Sequence, residues 1–230
     1  MPVFRLRPRF PFPPPEMAEP EGLLAIGGDL SVPRLLAAYR SGIFPWYEEG
    51  SPILWWSPDP RFVLFPADFH VSDSLRRVVR AGRFRVSFDT EFRRVMEACG
   101  QTPRRHEAGT WITAEMVRAY VALHEAGHAH SVEVWQGEEL AGGLYGVSVG
   151  ACFCGESMFT RISNASKVGL VHLVERLNRQ GCAMIDCQME TEHLRRFGAV
   201  AISRDEYLRR LDSAARGEWA IGKWPAEPSA

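Results

Sequence analysis

Residue types and spacings in this sequence raise three candidate chemistries. His124-Glu-Ala-Gly-His128 matches H-E-x-x-H, in which two histidines one helical turn apart bind zinc and the glutamate activates water. Ligation needs both histidines on one continuous helix, but Gly127 stands directly before the second and Ala129-His-Ser-Val-Glu-Val134 alternates as a strand does. The spacing predicts a helix that stops short of His128, with His124 a dipole-compatible side chain near its end. Thr160-Arg-Ile-Ser-Asn-Ala-Ser-Lys167 stands where a coenzyme A-dependent N-acetyltransferase would cradle a pyrophosphate on backbone N–H groups, usually opened by glycines, and it has no glycine. Phe153-Cys-Gly-Glu-Ser-Met-Phe159 and Ile185-Asp-Cys-Gln188 set acids and amides among apolar residues. On a strand Asp186 and Gln188 point to one face and Ile185 and Cys187 to the other. If that face is buried, the carboxylate and amide must meet partners or a substrate; the plain alternative is a solvated sheet edge.

The elements that must position these residues follow from periodicity and punctuation. Residues 1 to 22, with Phe10-Pro-Phe-Pro-Pro-Pro15, read as an extended arm over the surface. A short helix should start at Ser31 or Val32, with Pro33 in its first turn, and stop at Gly42. Ile43-Phe-Pro-Trp-Tyr47 and Ile53-Leu-Trp-Trp-Ser-Pro-Asp-Pro-Arg61 read as loops holding large rings, before a strand Phe62-Val-Leu-Phe65. Thr113 caps a helix stopped by Gly127, and strands at 130–135, 140–149 and 151–154 follow, the first two joined by a turn at Gln136-Gly137-Glu138. The helix from Asn164 to Gln180 buries Val168, Val171, Val174 and Leu177 and is capped near Ser163 or Asn164. Then come a strand 183–188, a helix from Thr191 to Phe197, a strand 200–202 and a helix opened by the capping box Ser203-Arg-Asp-Glu206. The order βββαβαβα predicts an α+β chain: a small N-terminal α/β domain and a C-terminal mixed-sheet domain like that of N-acetyltransferases and other acyltransferases. The expected divisions are 1–62 for the arm and aromatic-rich small domain, 63–109 for a basic connecting segment belonging with it, and 110–230 for the acyltransferase-like catalytic domain.

Composition narrows the class. The chain has 230 residues, 46% hydrophobic and 24% charged, with a net charge of −1, as ordinary globular proteins do. It lacks an apolar run of membrane-spanning length and an apolar leader after Met1, so a cytoplasmic location without membrane contact is expected. Five cysteines without a C-x-x-C indicate neither a disulfide framework nor a four-cysteine zinc site. Charge is uneven: nine arginines stand against four acids between His70 and Arg105, a net of +5. Arg76, Arg77 and Arg80 share a face if Ser72 to Val79 starts a helix, and that face is either solvated or set to neutralise phosphates.

At the residues quoted above, the sequence resembles the leucyl/phenylalanyl-tRNA–protein transferases of the bacterial N-degron pathway. The likeness runs through Gly22-Leu-Leu-Ala-Ile-Gly-Gly-Asp-Leu-Ser31, Gly42-Ile-Phe-Pro-Trp46, Trp55-Trp-Ser-Pro-Asp-Pro-Arg61, Gly109-Thr-Trp-Ile-Thr113, Leu123-His-Glu-Ala-Gly-His-Ala-His-Ser131, Gly155-Glu-Ser-Met-Phe159, Asn164-Ala-Ser-Lys167 and Ile185-Asp-Cys-Gln188, in order. The resemblance implies transfer of leucine or phenylalanine, with methionine as a further donor, from aminoacyl-tRNA to proteins beginning with arginine or lysine, by a monomer using no metal or organic cofactor. It implies that Trp46 and Trp111 hold the terminal adenosine, that Tyr120 hydrogen-bonds near the ester, and that Leu144, Phe153, Met158, Leu170 and Ile185, with Gly155 and Ser157 beside them, bind the donated amino acid. Gln188 would accept a hydrogen bond from the attacking amine, with Asp186 and Glu156 orienting it or pairing with the acceptor's basic side chain. It also tips Arg76, Arg77 and Arg80 toward tRNA phosphate contact.

Overall fold

The structure, a computed structural model, describes residues 3–7, 11–102, 110–217 and 219–225; Phe10, Arg104, Arg105 and Gly109, named above, lie outside them. The first part holds β1 (Phe4–Leu6), β2 (Leu23–Gly27), α1 (Val32–Arg40), β3 (Phe44–Pro45) and β4 (Leu54–Trp56). These strands form a four-stranded sheet in the order β1-β2-β4-β3. The arm is thus more than a surface strap, because Phe4 to Leu6 pair in parallel with Ala25 to Gly27. Likewise the two aromatic stretches are short strands rather than loops, with Phe44 and Pro45 paired to Trp56 and Trp55.

The second part runs β5 (Arg61–Leu64), α2 (Asp73–Arg80), β6 (Arg85–Phe88), α3 (Phe92–Gln101), α4 (Ala114–Glu125), β7 (Ala129–Gln136), β8 (Glu139–Val149), β9 (Cys152–Thr160), α5 (Ala165–Arg179), β10 (Met184–Gln188), α6 (Glu192–Arg195), β11 (Val200–Ile202) and α7 (Arg204–Ala215). Its sheet has the order β11-β5-β10-β9-β8-β7-β6. Two-residue turns join β7 to β8 and β8 to β9 as antiparallel neighbours. β9 and β10 are parallel because α5 carries the chain back across the sheet between them. The segment 63–109, expected to go with the N-terminal domain, places β5 and β6 in this seven-stranded sheet. The fold class is α+β, as the element order indicated.

Local signals set the helix starts. Ser72, Thr113 and Ser203 accept hydrogen bonds from the N–H groups of Leu75, Met116 and Glu206, and so close the first turns of α2, α4 and α7. Asn164 holds the start of α5 differently, in a left-handed conformation at φ 71° and without a side-chain cap bond. The sheet is covered on both faces. Residues of α1, α3, α4 and α7 pack with Tyr145 and Val147 of β8 in one apolar cluster, while α2 and α5 pack with Val132, Val134 and Leu144 in the other. That is why β8 reads as a continuous buried run rather than an alternating one.

A buried carboxylate ties the far side of this sheet to the C-terminal strap. Asp89, just past β6, receives the Ser131 N–H at Oδ1 (2.8 Å) and the Trp224 N–H at Oδ2 (2.7 Å), with His130 Nδ1 2.8 Å from Oδ2. Asp89→Ala would strand all three groups. The expected loss is about 3 kcal/mol of unfolding free energy, read from the denaturant midpoint at unchanged slope.

Candidate active site

The site forms where β9 and β10 stop pairing. Their parallel ladder runs from Met184 opposite Cys152 to Asp186 opposite Cys154 and ends there. β9 then carries a bulge against β8, since Tyr145 faces Ser157 but Gly146 faces Gly155. β10 carries one against β5, since Asp186 faces Val63 but Gln188 faces Phe62. A bulge breaks strict alternation. As a result Phe153 and Gly155 share a cavity with Glu156 and Met158, and Ile185 and Cys187 share it with Gln188.

That cavity measures about 400 Å³ and is lined mainly by apolar side chains. All five residues assigned to the amino-acid pocket line it: Leu144, Phe153, Met158, Leu170 and Ile185. Gly155, Ser157, Glu156, Gln188, Trp46 and Trp111 line it too. The sequence reading had not singled out Phe44, Pro45, Leu64, Tyr145, Leu173, Met189, Thr191, His193 and Leu194, which also line it; as isolated apolar or surface residues they carry no signal of their own. Burial, and then the positive charges of Lys167 and Arg196, pull His193 below its ordinary pKa. Phe153 can lie against β8 because position 146 is glycine: a Cβ there would sit 2.5 Å from the Phe153 ring.

Asp186 does not line the cavity. The expectation that Asp186 and Gln188 project together from one face is not met, because the bulge and the left-handed backbone at Gln188 (φ 61°) turn the amide away. Asp186 is fully buried. Its Oδ1 accepts from Arg61 Nε (2.8 Å) and the Gln188 N–H (2.8 Å), and its Oδ2 from Arg61 Nη2 (2.6 Å) and the Tyr207 hydroxyl (2.9 Å). Those four donors fill a carboxylate's roughly four acceptor sites. Arg61 is itself held between the rings of Phe44 and Tyr207, at 4.9 and 4.5 Å. Burial works against its charge, but the Asp186 carboxylate prevails and raises its pKa above the ordinary arginine value. Arg61 and Tyr207 are therefore parts of the site that the sequence reading left unassigned, although Arg61 closes one of the quoted motifs.

Gln188 meets Glu156 across the splayed strands. Its Nε2 donates to Glu156 Oε1 at 2.8 Å, which leaves its amide oxygen free to accept from a group in the cavity. The Tyr120 hydroxyl donates to Glu156 Oε2 at 3.4 Å and is hydrogen-bonded in turn to the Tyr39 hydroxyl. Tyr120 is buried behind the acid rather than in the cavity wall. Burial, then the Glu156 charge, raises the pKa of both phenols, which keeps them donors. Burial raises Glu156 to about 7 against the hydrogen bonds from Tyr39, Gln188 and Tyr120, with the Asp186 charge adding to the rise. The acid therefore changes charge near neutrality.

The other candidates separate from this centre. α4 ends at Glu125, and Gly127 turns the chain in the left-handed region at φ 81°, so His124 and His128 do not share a helix. The His124 ring stacks on Phe92 at 4.4 Å, with Nδ1 2.8 Å from the Ala129 carbonyl oxygen. Among the described residues no group of three or more His, Cys, Asp or Glu is placed to hold a metal ion. No described helix is long and apolar enough to cross a membrane. Arg76, Arg77 and Arg80 are exposed on α2, and Arg77 borders a second groove with Arg83, Ser163 and Asn164.

The sequence model of a family described as Leucyl/phenylalanyl-tRNA protein transferase matches residues 63–212, and the model of its N-terminal domain matches residues 28–59. The chain is 56% identical over 224 residues to the leucyl/phenylalanyl-tRNA–protein transferase of Solidesulfovibrio magneticus, an alignment covering 97% of this chain and 91% of that one. It is 58% identical over 228 residues to the protein of that name from Anaeromyxobacter sp. strain K, covering 96% and 97%. With its counterpart in Myxococcus xanthus it shares 56% over 226 residues, 97% of each chain. A solved structure, that of L-PGS from Bacillus licheniformis, overlays with a TM-score of 0.38 at 12% identity, covering 74% of this chain and 54% of its own. With both family patterns matched in chain order and relatives more than half identical over nearly all of its length, the chain belongs to the leucyl/phenylalanyl-tRNA protein transferase family.

Proposed function

We propose that this protein transfers leucine or phenylalanine, and methionine as a further donor, from aminoacyl-tRNA to the α-amine of proteins that begin with arginine or lysine. The observation that carries this reading is an apolar cavity closed by one amide whose oxygen is unused and whose nitrogen is tied to an acid that titrates near 7. The donor side chain lies among Leu144, Phe153, Met158, Leu170 and Ile185. Trp46 and Trp111 stack on the terminal adenosine, an interaction worth about 1–3 kcal/mol per base. The attacking amine donates to the Gln188 amide oxygen, which points its lone pair at the ester carbonyl. A C–N bond forms and the ester C–O bond breaks; the proton lost by the amine balances the one gained by the ribose oxygen. Replacing an ester by an amide is downhill, so orientation and electrostatics suffice. Glu156 polarises Gln188 by accepting its N–H, and Asp186 acts from behind by fixing the Gln188 backbone. Arg76, Arg77 and Arg80 contact acceptor-stem phosphates, which position without reading sequence. The enzyme works in the cytoplasm as a monomer, without metal or organic cofactor. We also propose a division at about residue 62, between the two stretches matched by the family models.

Transfer of radiolabelled leucine from charged tRNA to an N-terminal-arginine protein tests the reading, with enzyme dialysed against chelator and coenzyme A left out. Incorporation should be robust, vanish with an N-terminal-methionine acceptor, and fall on the order of 10²-fold in Gln188→Ala. Absence of incorporation by the unaltered enzyme overturns the proposal.

The pH profile follows from Glu156. Its anionic form accepts the Gln188 N–H, so the rate at saturating substrates should rise as pH passes about 7. In Glu156→Gln that limb should disappear, leaving only the titration of the acceptor amine, at about 7.7–8.0.

Combined replacement of Arg76, Arg77 and Arg80 by alanine should raise KM for tRNA with kcat little changed. It should also flatten the dependence of log KM on log salt by about 2 to 3, near one unit for each phosphate no longer neutralised.

A further inference from the structure

We infer that Trp224, in the C-terminal strap, sets the depth of the donor side-chain pocket by backing Phe153, and so tunes the choice between leucine and phenylalanine. The inference rests on the proposed seating of the donor in the cavity. Phe153 is fully buried and lines that cavity, so the inner face of its ring meets the protein. Trp224 is packed there, with ring centroids 5.8 Å apart and planes inclined by 31°. On the β8 side the ring already lies so close to Gly146 that a Cβ would come within 2.6 Å of its tip. Phe153 has space in front and none behind.

Trp224 can act as a fixed plate because it is held from several directions. Its backbone N–H donates to Asp89 Oδ2 at 2.7 Å. Its ring is stacked on His130 at 4.1 Å with the planes 2° apart, and it meets Phe88 edge-on at 5.9 Å. The Arg176 guanidinium lies 5.0 Å from the ring centre and donates to the carbonyl of Pro225, which pins the strap on the far side. This segment follows the stretch matched by the family model, which ends at residue 212. A smaller side chain at position 224 lets Phe153 retreat and deepens the cavity, which favours the longer phenylalanine ring over leucine.

The test compares kcat/KM for leucyl-tRNA and phenylalanyl-tRNA with one N-terminal-arginine acceptor, for the unaltered enzyme, Trp224→Leu and Trp224→Phe. Trp224→Leu should raise the phenylalanine-to-leucine ratio about tenfold, the scale on which a change of a methylene or more in a pocket alters discrimination. Trp224→Phe keeps an aromatic plate, and should shift the ratio the same way by a smaller factor; it decides the question if Trp224→Leu does not fold. An equal fall for both donors, or an unchanged ratio, marks Trp224 as structural only and overturns the inference while leaving the proposed function standing. Failure of the unaltered enzyme with both donors overturns the function and the inference together.

Discussion

The ion pair between Arg61 and Asp186 is the constraint on which the site depends. It joins β5 to β10 with both partners shut away from water, at 1% and 0% side-chain exposure. Desolvating two charges costs several kcal/mol per ion, and a buried pair tolerates that only with near-ideal geometry and its remaining valences filled. Here the geometry is bidentate and Tyr207 and the Gln188 N–H fill the carboxylate; on the guanidinium side Nη1 is buried without a hydrogen-bond partner, and the flanking rings of Phe44 and Tyr207 supply cation–π contact instead. The fourth of those bonds matters most for chemistry. It holds Gln188 in a left-handed backbone that a non-glycine residue adopts at a cost of about 1–3 kcal/mol. A carboxylate with every acceptor site in use has no lone pair to spare as a proton relay, so in the proposed reaction Asp186 acts by where it places Gln188.

That placement decides which side chains face the cavity. The paired bulges on β9 and β10 turn Glu156 and Gln188 into a cavity that strict alternation would have lined with Phe153, Gly155, Ser157, Ile185 and Cys187. Two polar groups in an apolar cavity interact at low effective dielectric, so the Gln188–Glu156 hydrogen bond is stronger than it would be in water. The same burial lifts Glu156 to about 7. The hydroxyls of Tyr39 and Tyr120 limit that rise, and they belong to α1 and α4, elements of different parts of the chain. The N-terminal part therefore contributes to the electrostatics of the centre through Tyr39, in addition to the rings of Phe44 and Trp46 in the cavity wall.

The sequence made legible whatever was decided locally. Caps at Thr113 and Ser203, and the glycine stop at Gly127, put α4 and α7 where they were expected, and the helix supposed from Ser72 forms as α2 with Ser72 as its cap. β1 and β6 were missed because strands of three or four residues are too short for alternation to register, and their partners lie far along the chain. α3 lies in the arginine-rich stretch, whose charge drew attention away from Phe92, Val95, Met96 and Cys99 on its buried face. In the site, Leu144, Phe153, Met158, Leu170 and Ile185 look like any core residues, and only the family resemblance marked them. Alternation along 185–188 gave the wrong relation between Asp186 and Gln188, because the bulge lies in the pairing of β10 with β5, whose Arg61 binds Asp186 from 125 positions away, and no local pattern encodes that pairing. The H-E-x-x-H string failed for the opposite reason: the types and spacing are right, but one glycine ends the helix that would have made them ligands.

For the proposed reaction, selectivity must come from the walls more than from the chemistry, since aminolysis of an ester is favourable for any amino acid. A polar donor side chain would enter a cavity where Leu144, Phe153, Leu170 and Ile185 offer no hydrogen-bond partner. Each unpaired polar group there costs about 1–3 kcal/mol, or roughly 5- to 150-fold in occupancy. Removing a methylene from a leucine-sized side chain costs a similar amount through the void it leaves. Discrimination against small and polar donors thus follows from apolar residues that fit. The polar groups Gln188 and Glu156 are left to act on the amine, which every acceptor shares. Choice of donor and activation of acceptor fall to different side chains of the same two splayed strands, so a substitution in the wall can retune one while sparing the other.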